Sequence, residues 1–135
     1  MMYPADYGFI PETLALDGDP LDVLVLVNEP TFPGCVMEVK PIGVFHMADD
    51  KGPDEKVICV PVSDPIWNSL ENLSDINPHL LKEIEHFFQV YKDLENKQVD
   101  VEGWGDVNEA YAIIKECTER FDQIENKPEG LFSIK

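Results

Sequence analysis

Asp17-Gly18-Asp19-Pro20-Leu21-Asp22 runs directly into Val23-Leu24-Val25-Leu26-Val27. The second stretch sets the fold class. It is a short, continuous apolar run rich in β-branched residues, which reads as a buried strand. Downstream, Glu29-Pro30-Thr31-Phe32-Pro33-Gly34 is a turn. Residues 35–39 alternate, with Cys35 and the valines set against Met37, and read as a further strand. Pro41 interrupts it and predicts a bulge or an edge. Residues 42–47 continue the strand, 47–54 read as a polar loop, and 57–62 as another short strand. Short strands at this spacing, joined by Gly/Pro turns, predict a small barrel or sandwich.

The second half is patterned for helices. Asn77 is a good N-cap and Pro78 suits the first helical position. Leu80, Leu81, Ile84, Phe87, Phe88 and Tyr91 then recur at helical spacing. Residues 98–103 read as a short strand with Val99 and Val101 on one face. Asp106 and Glu109 have capping-box spacing ahead of a second amphipathic helix carrying Ala110, Cys117 and Phe121. Strands followed by helices make an α+β domain. Residues 1–125 read as a single domain and 126–135 as a tail.

At 135 residues the chain is long enough to bury a core without disulfides. Cys35, Cys59 and Cys117 are far apart in apolar surroundings and read as buried free thiols, which fits a reducing cytosol. The N-terminus lacks the pattern of a signal peptide and no run is long enough to span a bilayer, so the expected location is cytoplasmic. Asp and Glu total 27 against 10 Lys and Arg, a net charge of −17. That charge argues against nucleic acid or an anionic membrane as a partner. An anionic substrate stays open, because clustered carboxylates can hold cations that bind the anion.

Three carboxylates within six residues, Asp17, Asp19 and Asp22, are the strongest chemical signal. Gly18 and Pro20 make a tight turn that can aim them at one point, and carboxylates so crowded repel one another unless a cation neutralises them. Oxygen-only donors suit hard ions such as Mg²⁺, Mn²⁺ or Ca²⁺. A solvated acidic turn is the plain alternative. Asp49, Asp50, Asp54 and Glu55, with Lys51 and Lys56, form a second acidic loop that could complete a multi-metal site. Tyr3 and Tyr7 have packing as their default reading, but both hydroxyls could donate to phosphate oxygens. Tyr91 and Lys92 close the first helix, where a packing tyrosine and a lysine suited to the helix dipole are the default. His46, His79 and His86 show no zinc-ligand spacing and read as structural or surface residues.

The Asp17-Gly18-Asp19-Pro20-Leu21-Asp22-Val23 stretch resembles the D-x-D-P-x-D-hydrophobic signature of the soluble family I inorganic pyrophosphatases. Other blocks resemble the family in the family's order: Tyr3-Pro4-Ala5-Asp6-Tyr7-Gly8-Phe9-Ile10, Pro41-Ile42-Gly43-Val44, Asp49 with Asp54-Glu55-Lys56, His86-Phe87-Phe88 with Tyr91-Lys92-Asp93-Leu94, and Val101-Glu102-Gly103-Trp104. The resemblance spans residues 3–122. It implies a small OB-like β-barrel, closed or partly open, flanked by two main α-helices. It also implies Mg²⁺-dependent hydrolysis of pyrophosphate to two phosphates. By the same resemblance Asp19 is the general base, and Asp17, Asp22, Asp49 and Asp54 are metal ligands. Tyr7, Lys56, Tyr91 and Lys92 would contact substrate. The expected assembly is a homo-oligomer, a hexamer if bacterial.

Family members usually begin some tens of residues earlier, and that upstream part supplies strands, a lysine, one or two glutamates and an arginine. Relative to them the chain reads as N-terminally truncated, and Arg120 does not match the family's active-site arginine. The alternative to an active enzyme is therefore a catalytically impaired metal- and phosphate-binding fragment. An acidic interaction module with a basic partner is the third reading.

Overall fold

In the computed structural model the described residues are 5–27, 31–32, 34–50, 52–95 and 100–125, without the side chains of 49, 91–95, 100 and 125. The described residues form the strands β1 (Ala5–Ile10), β2 (Leu21–Leu26), β3 (Val39–Asp49), β4 (Gly52–Pro61) and β5 (Asp100–Gly105). The helices are α1 (Pro78–Glu95) and α2 (Val107–Glu125), with a 3-10 turn at Leu73–Asp75. The strand order is β1-β2-β4-β3-β5, and β2 pairs with β4 in parallel while the other neighbours are antiparallel. Among the described residues the sheet does not close, and β1 and β5 remain at opposite edges.

The unbroken apolar run of β2 follows from burial on both faces. Leu24 and Leu26 join Ile42, Phe45, Ile58 and Val60 in one core, covered by Ile84 and Phe88 of α1. Leu21, Val23 and Val25 join Val44, Val57 and Cys59 in another, covered by Ala110 and Cys117 of α2. Phe45 is the centre of an aromatic cluster, with ring centroids 5.4 Å from Phe88 and 4.6 Å from Trp104. The register shift between Pro41 and Gly43 is the expected bulge. It rephases β3, so that Ile42 and Phe45, three residues apart, reach the same core.

Both helix starts follow their sequence signals. Asn77 Oδ1 accepts from the His79 amide at 2.9 Å. Asp106 and Glu109 cap reciprocally: the Glu109 amide donates to Asp106 Oδ1 at 3.0 Å, and the Asp106 amide to Glu109 Oε2 at 3.1 Å.

Several expectations are corrected. Residues 35–38 are not a strand, because β3 begins only at Val39. Cys35 lies in that irregular stretch and is exposed rather than buried, next to Val36 at 96% exposed. Cys59 and Cys117 are buried, and burial pushes the Cys59 thiol up to about 12. The polar segment 47–54 is mostly hairpin: β3 runs to Asp49 and β4 starts at Gly52, whose φ of 118° favours glycine. β1 is a strand that periodicity did not reveal, since its exposed positions carry Tyr7 and Phe9 while Asp6 and Gly8 are the partly buried ones. β5 sits about two residues later than read, and residues 98 and 99 lie outside the described residues, as does the tail.

Gly43 gives one stability prediction. A Cβ there would run into the side chain of Leu73, itself buried. Gly43→Ala should destabilise the fold by about 1–3 kcal/mol through overpacking. Thermal unfolding checks this, and an unchanged midpoint would contradict the tight contact.

Candidate active site

Three neighbouring strands assemble the site. Asp22 at the start of β2 lies beside Lys56 of β4 in the parallel register, and Tyr7 comes from the adjoining β1. Asp54 and Lys56 are two residues apart, so they share one face of β4. Lys56 Nζ donates to Asp22 Oδ2 at 2.8 Å and to Asp54 Oδ1 at 2.8 Å. The Tyr7 hydroxyl donates to Asp22 Oδ2 at 3.3 Å, and Lys56 Nζ stands 5.1 Å from the Tyr7 ring centroid. Lys56 is only 4% exposed, whereas lysine is almost never buried unless paired.

The electrostatics follow from that packing. Burial opposes the Lys56 charge, but hydrogen bonds to Asp22 and Asp54 outweigh it and hold the ammonium above the usual lysine range. Burial raises the Asp54 carboxyl despite Lys56, and the charges of Asp22 and Asp17 push it the same way. Tyr7 is 53% exposed overall, yet burial around its hydroxyl end pushes the phenol up to about 12. One ammonium thus faces the carboxylates of Asp22, Asp54 and nearby Asp17. The surplus is negative and the donors are all oxygen, which fits a hard divalent cation. Among the described residues no three His, Cys, Asp or Glu side chains converge on one point in metal-ligand geometry.

Asp17 and Asp19 occupy the loop that enters β2. Asp17 Oδ1 accepts from the Asp19 amide at 3.0 Å, a local turn that aspartate favours. The Ala15 amide donates to the Asp19 carbonyl at 2.8 Å, and Gly18, with φ 89°, closes the turn by donating to the Ala15 carbonyl at 3.1 Å. Asp19 is exposed and Asp17 half-buried. The structure therefore brings Tyr7, Asp22, Asp54 and Lys56 into contact and sets Asp17 beside them. Asp19 is exposed where the turn closes against Ala15. The backbone of Asp49 pairs with Gly52 at the end of the hairpin, and Tyr91 and Lys92 fall on α1, but these three side chains lie outside the described residues.

Two supports were missed in the sequence. Thr13, 3% exposed, donates through Oγ1 to the Ile10 carbonyl at 2.6 Å and accepts from the Leu21 amide at 3.0 Å, pinning both ends of the aspartate loop. Nothing in its local sequence marks it out. His46 lies between Glu55 (2.7 Å) and Glu109 (3.3 Å), tying the β3–β4 pair to the start of α2. Its place near the acidic residues was legible, but its glutamate partners were not.

A family model described as inorganic pyrophosphatase matches residues 1–122. An inorganic pyrophosphatase of Methanosarcina mazei is 55% identical over 123 residues, covering 91% of this chain and 73% of that protein. One from Methanosarcina acetivorans is 58% identical over 121 residues, covering 90% and 72%. The crystal structure of inorganic pyrophosphatase from Thermus thermophilus superposes with a TM-score of 0.85 at 45% identity, covering 89% of this chain and 71% of that one.

Proposed function

The chain belongs to the inorganic pyrophosphatase family, and on that premise we propose that it hydrolyses pyrophosphate to two phosphates with the help of Mg²⁺. The observation that carries this reading is the buried Lys56 ammonium held between Asp22 and Asp54, with the Tyr7 hydroxyl beside it. Asp17, Asp22, Asp49 and Asp54 would hold Mg²⁺, with Mn²⁺ or another hard divalent ion able to substitute. When bound, such ions offset the repulsion between carboxylates and the polyanion and make water a better nucleophile.

The remaining roles belong to this chain's side chains. Lys56 stays an ammonium and Tyr7 stays a phenol across the neutral range, because both titrate above it. They therefore act as donors to phosphate oxygens and not as bases. Tyr91 and Lys92 are assigned the same task, offsetting charge that grows on the leaving phosphate. Asp19 receives the proton of the attacking water at a carboxylate oxygen, a role supported by its exposed place on the loop that enters β2. Free cysteines support a cytoplasmic location, and family membership supports a homo-oligomer. Among the described residues no helix is long and apolar enough to cross a membrane.

Turnover is the test. With Mg²⁺ present, the ³¹P signal of pyrophosphate should give way to two phosphates per molecule consumed. A persistent pyrophosphate signal would count against the reading.

Proton competition gives a further prediction. The Asp54 carboxyl is held above its usual range, so the proton is favoured at low pH and leaves as pH rises through that raised value. A cation needs the carboxylate, so Mg²⁺ should bind more tightly at about pH 7.5 than at about pH 5, with proton release at the lower pH. Calorimetric titration measures both, and equal affinity at the two pH values would contradict the assignment of Asp54.

A further inference from the structure

The only arginine of the chain, Arg120, stands on α2 outside the cluster just described. Its Nη1 donates to the Leu14 carbonyl at 2.6 Å, across 106 positions of sequence. Its Nη2 donates to Glu116 Oε1 at 2.7 Å. The Leu14 amide in turn donates to the Cys117 carbonyl at 3.0 Å, so α2 grips Leu14 at both backbone groups.

The grip acts on one peptide plane. The Leu14 carbonyl and the Ala15 amide belong to the same peptide unit, which is planar and rigid. The carbonyl side accepts a hydrogen bond from Arg120, and the amide side donates to the Asp19 carbonyl at 2.8 Å. A charge-assisted bond on the carbonyl fixes the plane and polarises the amide toward its acceptor. Packing does not do this alone. A cavity of about 50 Å³ lies against the clamp, lined among others by Ala15, Leu21, Glu55, Cys117 and Arg120.

We propose that Arg120 is a positioning residue for Asp19: through the Leu14–Ala15 peptide it holds the backbone that carries the base. The inference rests on the reading of Asp19 as general base. Arg120 touches no reacting atom, so its loss should lower kcat and leave KM for pyrophosphate nearly unchanged. Lysine in its place offers a point charge and not a fork, so it cannot serve Leu14 and Glu116 in the same geometry.

The test compares the full chain with Arg120→Met, Arg120→Lys and Glu116→Gln, by amide hydrogen exchange and by kinetics. In Arg120→Met the Ala15 amide should exchange at least about tenfold faster while β2 core amides keep their protection. kcat should fall by about tenfold, within the roughly 10²-fold that a 1 Å misplacement can cost, with KM within about twofold. Arg120→Lys should fall between, and Glu116→Gln should match the wild type. Unchanged Ala15 exchange overturns the proposal, as does faster exchange with undiminished kcat. If Arg120→Met does not fold, Arg120→Lys carries the same two readouts, and wild-type values in it overturn the proposal. If the wild-type chain releases no phosphate, the functional reading falls and the catalytic part of the proposal falls with it. The Ala15 exchange still reports on the clamp.

Discussion

Asp19→Ala should lose at least about 10²-fold in the rate of phosphate release, the lower end of what a positioned general base contributes. The expectation follows from where Asp19 stands. It is exposed at the closing end of a turn, and its backbone makes the bonds that hold the loop. Removing the carboxylate therefore leaves the Ala15–Asp19 and Asp17–Asp19 backbone contacts available. Thermal stability should stay near wild type, and Mg²⁺ affinity should fall only modestly, because Asp17, Asp22, Asp49 and Asp54 remain. Initial-rate kinetics beside a calorimetric Mg²⁺ titration separate the two effects. Full turnover in the variant would remove Asp19 from the role of base.

The second large effect belongs to Lys56. Lys56→Met removes the cation between Asp22 and Asp54, whose side chains are 28% and 21% exposed. Leaving buried charge unpaired costs about 3–5 kcal/mol, and partial exposure of both carboxylates favours the lower end. For a chain of this size that corresponds to a fall in Tm of about 10 °C. The sign of the metal response is the more telling result. With the ammonium gone, the carboxylates lack an internal counter-charge, so Mg²⁺ should raise the Tm of the variant more than that of the wild type. Phosphate release should fall by about 10²–10³-fold, as expected for loss of one preorganised donor. A variant as stable as the wild type without Mg²⁺ would show that the Asp22–Lys56–Asp54 cluster is not held as described.

Much of this architecture was legible in the residues. The run 23–27 showed a buried strand because β2 is covered on both faces, and helix caps at Asn77 and Asp106 were plain because capping is local chemistry. The bulge at Pro41 followed from a missing amide. Where the reading failed, tertiary context or function had overridden pattern. Residues 35–38 were patterned as a strand would be, but they lie ahead of the ladder, which takes up this stretch only at Val39. The charged residues 49–56 looked like a loop because solvation is the usual fate of such a stretch. Here Asp54 and Lys56 lie within β4, and their mutual pairing makes the strand tolerable.

The candidate site was legible by resemblance more than by pattern. Asp17, Asp19 and Asp22 are close in sequence, so their grouping could be read directly. The meeting of Asp22 with Lys56 and Asp54 depends on the parallel β2–β4 pairing, and that with Tyr7 on the β1–β2 pairing, neither of which a local signal encodes. The bond of Arg120 was hidden likewise, because it too joins residues distant in sequence. The contact of Arg120 with Leu14 spans almost the whole described chain.

The central claim is that this chain splits pyrophosphate and needs a divalent cation to do so. The most direct measurement is the initial rate of phosphate release from pyrophosphate by the 135-residue chain, with Mg²⁺ and with the metal chelated. The same two conditions applied to identically purified Asp19→Ala control for any contaminating activity. The account predicts release that requires Mg²⁺ and is largely lost in the variant. Release no greater than that of Asp19→Ala, in a chain that still binds Mg²⁺, would contradict it and leave a metal-binding protein without turnover.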